Sequence, residues 1–584
     1  MARIVFGALH FTYFRNYDSV IRALAADGHE VHLTADEPES MGGLELVQHL
    51  GASCPGVTWG FTPSLDDWRW RPFALWIRRT LEYIRFLDRY YDPIPKYRFR
   101  AKSRASRLVV ALFAVPGLNR QAFRRAAAAV LSAFERAIPP PDSLIDFFRE
   151  QRADAVLLAS VTNPGAPQLD HLKAAQAIGA RTVMTVWSWD HLSGKAWIRI
   201  PPDLVLVWNE AQRTEAIDLH GLPADRIVVT GAQCYDQWFE RQPSRSREQF
   251  VAEHGLDPQR PLLLYVCSVL ARPNPHETPF VLEWIDAVRR SDDPAIRDAN
   301  ILIRPHPERL EQWQSVDLSR FACVAIAGRN PIDDCSRDEY FDSLFFSRAV
   351  VGLVTSAFLE AAIVGRPVFT VMKPEYRMHQ MGSPHFRYLI EIEGGLLHTA
   401  DDWAAHVRQL ESISPEDVAE RQRLTRFIEA FVRPFGMAQP ATPTFVSAVE
   451  ELLTRPVSPQ AAPPPVAARA AARAFRRLIE MPGARYALLS AQDLEDAAAK
   501  RRRLQEERST KTRLAETRAT REAAAERERA ARLEQKNEER RRKEAVVRAR
   551  EHARAARQRA KRRQQMLEGV RARLRRVLYG SASR

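Results

Sequence analysis

The sequence of 584 residues predicts an α/β protein of two Rossmann-like domains, the first carrying a helical insertion, followed by a Pro-rich linker and a long charged C-terminal helix. Three observations carry the prediction. Short β-branched apolar runs alternate with amphipathic helical stretches in two successive series. Residues 66–138 interrupt the first series with helix formers and few strand runs. After Asp493 the composition turns to Ala, Arg, Glu, Lys and Gln, with no proline to the end.

The first series opens with RIVFGA at residues 3–8, a buried strand. A polar loop follows from His10 to Asp18, then Val20, Ile21, Leu24 and Ala25 at helical spacing, closed by Gly28. EVHLT at 30–34 completes a βαβ unit. Further strands are expected at Ala155–Ser160, Thr182–Val186, Leu204–Val207 and Ile227–Thr230, which makes residues 1–240 one domain. In the insertion, Ile77, Leu81, Ile84, Leu87 and Tyr91 recur at spacings of three and four. Residues 69–104 hold 11 basic and 3 acidic residues, which fits either a solvated basic face or an acceptor-side or membrane-facing lobe.

The second series starts at LLLYVC, 262–267, and continues through Ile301–Arg304, Val324–Ala327, Val350–Val354 and Val368–Val371. Helices near 416–433 and 442–454 close a second domain of residues 241–454. RPVSPQAAPPPV, 455–466, has five prolines and reads as a stiff linker. Residues 467–584 read as a basic helical tail. Its Glu/Asp residues precede Lys/Arg by four at Asp496/Lys500, Glu507/Lys511, Glu528/Arg532, Glu538/Arg542, Glu539/Lys543 and Glu544/Arg548. Its apolar seam is too thin for a strict coiled coil.

Charge is as unevenly spread as structure. Residues 491–584 carry 30 Lys and Arg against 15 Asp and Glu, while the whole chain is +14. The body is therefore near neutral, and an ordinary nucleic-acid-binding core is disfavoured. Five scattered cysteines without a CxxC pair argue against a disulfide framework or a cysteine zinc site. No cleavable leader and no apolar run of membrane-spanning length is seen, so a cytoplasmic protein is expected, peripheral at the inner membrane face if its tail binds lipid.

In open parallel sheets ligands bind outside the carboxyl ends of the strands, so those loops carry the chemistry. Ile301–Glu308 reads ILIRPHPE and places Arg304 and His306 at one strand end. Val354–Pro367 reads VTSAFLEAAIVGRP: Thr355 and Ser356 begin a short helix, Glu360 lies one turn in, and Gly365 and Pro367 end it. Hydroxyls and free N–H groups at such a start form an anion site. Singly, a packed loop histidine and a helix cap explain these residues. Together, on one rim, they are suited to hold a diphosphate and stabilise its charge as it leaves, with Glu360 accepting from a ribose. Ser268, ending the first strand of the second domain, is a further donor-loop candidate. In the first domain, two candidates compete for the general base. One is His10, in the loop after the first strand. The other is Asp190 in SWDHLSGK, 188–195, where Lys195 would meet a phosphate as a point charge.

The HP pair followed by (S/T)S…E…G-(R/K)-P resembles the donor-binding half of GT-B glycosyltransferases. The likeness is to the branch of bacterial polysialyltransferases, capsule-polymer transferases and CDP-glycerol glycerophosphotransferases. It spans residues 1–450 and is looser in the first domain, where SWDHL is similar to SWD-x-L loops of relatives; Thr-Ser replaces the more usual Ser-Ser. The resemblance implies transfer of a sugar or polyol-phosphate unit from a nucleotide-activated donor, CDP- or CMP-linked donors included. The nucleotide would be held by Arg304, His306, Thr355, Ser356 and Glu360, with no bound metal or other cofactor. The acceptor would be a surface polysaccharide or a lipid-linked chain. Two other classes stay open: a nucleotide-sugar 2-epimerase, and an inactive scaffold that displays the tail. For the tail itself, an anionic membrane surface and self-association are the partners considered, and nucleic acid is disfavoured because Tyr579 is the one aromatic residue after Asp493.

Overall fold

A computed structural model describes residues 1–584 except 40, 160, 162–164, 166, 271–275, 332, 457–463, 482, 485–487 and 580–584; the side chains of 497, 499–501, 503–526 and 577–579 are also outside it. Most of the Pro-rich linker thus lies outside the described residues. Met1–Asp493 form one compact unit and Leu494–Arg584 a second.

The first unit contains two parallel sheets. In the first, β1 (Arg3–Ala8), β2 (Glu30–Ala35), β3 (Val57–Phe61), β4 (Ala155–Ala159), β5 (Arg181–Thr185), β6 (Leu204–Val207) and β7 (Ile227–Val229) pair in the order β3-β2-β1-β4-β5-β6-β7. In the second, β8 (Leu262–Val266), β9 (Asn300–Arg304), β10 (Val324–Ile326), β11 (Ala349–Val351), β12 (Val368–Val371) and β13 (Leu397–Ala400) pair in the order β10-β9-β8-β11-β12-β13. The central strands are buried on both faces because helices cover both. Each sheet reverses its winding once, between β1 and β4 and between β8 and β11. Those reversals open a crevice at the carboxyl ends.

The sequence reading omitted β3 and β13, the edge strand at one side of each sheet. VTWGF at β3 leaves Thr58, Trp59 and Phe61 exposed, and LHTA at β13 is short and half polar, so neither shows a buried apolar run. The boundary near 454 also differs. The helix Ala441–Thr454 leaves the second domain and packs Phe445, Val446, Val449 and Leu452 into the core of the first sheet. Asp236 fixes this crossing: its carboxylate accepts from the N–H groups of Ala441 (2.9 Å) and Thr442 (2.7 Å) and pairs with Arg433 at 3.3 Å.

The insertion forms the helices Arg71–Phe86, Pro95–Arg104, Arg107–Ala114 and Gln121–Ala137. Several of its basic residues point inward. Arg78 is 3% exposed and bridges Glu135 at 2.9 Å and Asp170 at 2.6 Å. Arg85 donates to the carbonyls of Leu192 (3.0 Å) and Lys195 (3.2 Å). These contacts lock the insertion to the first domain, so much of the basic surplus is internal anchoring. The tail also starts later than the expected residue 467. Val466–Glu480 packs Ala472 and Ile479 against Phe73, Ile77 and Leu81 of the insertion.

The described residues of the second unit belong to one helix, Ala491–Tyr579, of 89 residues. Charged pairs line it at Glu528/Arg532 (2.7 Å), Glu538/Arg542 (3.4 Å) and Arg540/Glu544 (3.1 Å). The pairs expected at Asp496/Lys500 and Glu507/Lys511 involve side chains outside the described residues. No helix among the described residues is long and apolar enough to cross a membrane.

Candidate active site

A cavity of about 400 Å³ lies between the two domains, at the carboxyl ends of both sheets. The turn Phe11–Asn16 after β1 and the segment after β5 form one wall, with Thr12, Tyr13, Arg15, Trp187 and Ser188 facing in. The loops after β9, β10 and β11 form the other. That wall carries Arg304, His306, Arg329, Thr355, Ser356 and Glu360, together with Arg337 and Tyr340 from the helix Asp334–Phe345.

Five of the sequence-derived residues therefore meet on one surface. Arg304 is the last residue of β9 and is buried. Its guanidinium lies 5.0 Å from the Tyr340 ring, pairs with Glu339 at 3.3 Å, and packs against Gly328. Gly328 has φ +122°, and a Cβ there would sit 2.7 Å from the Arg304 Cζ. His306 accepts from the Glu308 N–H at Nδ1 (3.2 Å), which leaves Nε2–H as its donor. Burial pushes its pKa down, so the ring is a neutral hydrogen-bond donor.

Glu360 accepts a hydrogen bond from the Tyr340 hydroxyl. Burial raises its pKa to about 7, against the opposing pull of Tyr340, Arg15 and Arg304. A carboxyl balanced in this way changes charge when a ligand changes its surroundings. Thr355 Oγ1 accepts from the Ala357 N–H at 3.3 Å, so its lone pair supports the turn, while the Ser356 side chain makes no cap and is exposed. The helix Ala357–Ile363 has only seven residues, so the strong helix-start anion site expected there is reduced to local N–H groups. Gly365, at φ +70°, ends that helix, which accounts for the glycine of the G-R-P element.

The other four candidates lie off this wall. His10 brings Nδ1 within 3.4 Å of the Glu37 carbonyl and packs edge-on against Tyr13, which itself lines the cavity. Asp190 accepts from the Ser188 hydroxyl at 2.7 Å and pairs with Lys195 at 3.2 Å. Against the cost of burial, Lys195, His385, His191 and Ser188 hold its pKa far below the carboxylate range, which makes it a weak proton acceptor at neutral pH. Lys195 is accordingly engaged by Asp190. Ser268 is buried at the winding reversal of the second sheet. Its hydroxyl accepts from the Val354 N–H (3.1 Å), and its own N–H donates to Glu277 (2.7 Å), so it ties the β8 and β11 loops together.

Sequence reasoning missed Arg15, Arg241, Arg329, Arg337 and Tyr340. Arg241 and Arg337 are paired with Asp338 (2.5 Å) and Asp334 (3.7 Å). Arg15 reaches across the cleft to the Asn330 side-chain oxygen at 3.5 Å. Among the described residues neither Arg15 nor Arg329 has a carboxylate partner at ion-pair distance. The strand-end rule contained the signal for both: Arg15 shares the β1 loop with His10, and Arg329 follows β10. Tyr340 sits inside a helix, where no sequence pattern distinguishes it. No group of three or more His, Cys, Asp or Glu side chains suited to a metal ion occurs among the described residues.

No protein-family model matches the chain, and no curated protein matches it. Solved structures similar to it include a glycosyltransferase from Rickettsia africae ESF-5, at 9% identity over 78% of this chain and 100% of that one, with a TM-score of 0.45. CalG4, the calicheamicin glycosyltransferase, is 14% identical over 79% of this chain and 100% of its own, with a TM-score of 0.40. The UDP-GlcNAc 2-epimerase from Neisseria meningitidis bound to UDP-GlcNAc is 11% identical over 77% of this chain and 100% of its own, with a TM-score of 0.44.

Proposed function

We propose that the protein is a GT-B-type transferase that moves a sugar or polyol-phosphate unit from a nucleotide-activated donor to a hydroxyl of a polysaccharide or lipid-linked acceptor. The observation that carries the reading is the pair Arg15 and Arg329. The two guanidinium groups come from opposite domains and line one cavity, and neither has a carboxylate at ion-pair distance among the described residues, although Arg15 lies near enough to Glu360, and Arg329 to Asp333, to favour their ionised forms. Such a pair suits a ligand with two or more negative charges, as a nucleotide diphosphate has.

In this reading the diphosphate lies between Arg329, Arg15 and the His306 Nε2–H. As the acceptor oxygen bonds to the transferred unit, the bond to the nucleotide phosphate breaks and its electrons pass to a phosphate oxygen. The guanidinium groups and His306 stabilise the charge that grows there. Glu360, ionised against a ribose hydroxyl pair, orients the nucleoside. Arginines supply the charge stabilisation, so the scheme needs no metal. His10 is the proton acceptor of the scheme, because Lys195 and the other partners of Asp190 hold its pKa too far below the carboxylate range for it to take up a proton at neutral pH.

The test is a melting-temperature panel of the full chain with UDP, CDP, CMP and GDP. One nucleotide should stabilise by about 3 kcal/mol at a hundredfold excess over its Kd, and Arg329→Ala should abolish the shift. No response to any nucleotide would overturn the reading.

A further inference from the structure

The last turns of the C-terminal helix differ from the rest of it. Between residues 545 and 578 the sequence has 12 Lys and Arg against Glu551 and Glu568. Upstream, basic side chains pair with carboxylates at Glu528, Glu538 and Glu544. Beyond Glu544 no ion pair forms among the described residues, so this positive charge is uncompensated.

The same segment carries an apolar stripe. Met566 (73% exposed), Leu567 (56%), Val570 (46%) and Leu574 (53%) stand in solvent. At 3.6 residues per turn all four fall within a sector of roughly 100°. Arg571 and Arg573 flank that sector on its two sides, and Arg575 and Arg576 lie behind it. Long arginine stems on both margins reach outward while the stripe faces an apolar phase.

We propose that this segment binds the surface of an anionic lipid bilayer, with the stripe in the headgroup boundary and the flanking arginines among lipid phosphates. The proposal is independent of the transferase reading. Charge selects the occupant. A second copy laid along the stripe would set one strongly positive segment against another, over a seam of four side chains. A nucleic acid would satisfy the arginines but leave the stripe in water. An anionic bilayer satisfies both. The helix lies on the membrane and does not cross it, in keeping with its low apolar content.

The experiment is co-sedimentation of the full chain with vesicles of phosphatidylcholine containing about a quarter phosphatidylglycerol. Binding should fall about tenfold or more between about 50 mM and about 500 mM NaCl, and should be weak on phosphatidylcholine alone. Val570→Gln/Leu574→Gln keeps the charge and removes half of the stripe; it should weaken partitioning about tenfold. Arg571→Gln/Arg573→Gln/Arg575→Gln/Arg576→Gln should do at least the same. Unchanged melting of the body checks folding of each variant. Equal binding to neutral vesicles, or full binding by the stripe variant, overturns the proposal. So does no binding at low salt, whether the stripe instead supports a dimer by light scattering or the tail instead retains an oligonucleotide.

Discussion

Glu360→Gln offers the sharpest test of the site, because its effect depends on pH with a fixed sign. In the folded protein the Glu360 carboxyl is raised from 4.5 to about 7, chiefly by burial. The folded state therefore holds a proton that the unfolded state releases between those values. Stability from this group is full below pH 4.5 and is lost as pH rises through 7. Each tenfold change in proton affinity is worth about 1.4 kcal/mol, so the ionised form costs at most about 3 kcal/mol. Glu360 is partly open to the cavity, whose water screens the charge and reduces this to about 1–3 kcal/mol. Gln keeps the carbonyl that accepts from Tyr340 and removes the charge. Urea denaturation followed by tryptophan fluorescence should show the two proteins near equal at pH 5, with Glu360→Gln more stable by about 1–3 kcal/mol at pH 8. Parallel pH profiles, or a variant less stable at pH 8, would refute the buried-carboxyl argument. Nucleotide binding supplies a second reading. A ribose that stabilises the carboxylate lowers its pKa, so binding at pH 7 should release a proton. Calorimetry in buffers of different ionisation enthalpy detects that release.

Gly328→Ala should push the Arg304 guanidinium from its place beside Tyr340, destabilising the second domain by about 1–3 kcal/mol through a strained φ and a clash, as read by urea midpoint. His306→Ala should lower transfer on the order of 100-fold with little change in melting temperature, since one donor to the leaving phosphate is lost; activity within about threefold of wild type would remove it from the site. His10→Ala should abolish turnover while nucleotide shifts persist, whereas Asp190→Asn should mainly lower stability by leaving Lys195 without its partner; the opposite ranking in single-turnover rates would exchange their roles.

The sequence showed the fold wherever strands are buried on both faces, because β-branched runs such as LLLYV at β8 have no other economical reading. It failed at β3 and β13, whose exposed sides remove the apolar signal. It failed again at Ala441–Thr454, whose amphipathic pattern states that a face is buried but not against which sheet. The insertion shows the same limit. Its Arg-rich composition is that of a solvated surface, yet Arg78 is enclosed by Glu135 and Asp170, partners 57 and 92 residues away.

The candidate site was legible to the extent that it follows from topology. Both sheets reverse their winding next to their first strand, so the loops after β1, β8, β9 and β11 had to converge, and those after β9 and β11 contained Arg304, His306, Thr355, Ser356 and Glu360. What sequence could not supply was the pairing state of each charge. Lys195 and Arg329 look alike as basic residues in strand-end loops. Only the structure shows Lys195 neutralised by Asp190, while Arg329 has no carboxylate at ion-pair distance among the described residues. The same difference separates Ser268 from Ser356: one hydroxyl is spent joining two loops, the other is exposed at the cavity. A ligand can be held only by groups the fold has not already satisfied. In the proposed scheme the anion-binding role therefore passes from Lys195 to Arg15 and Arg329, the two arginines that the motif did not contain.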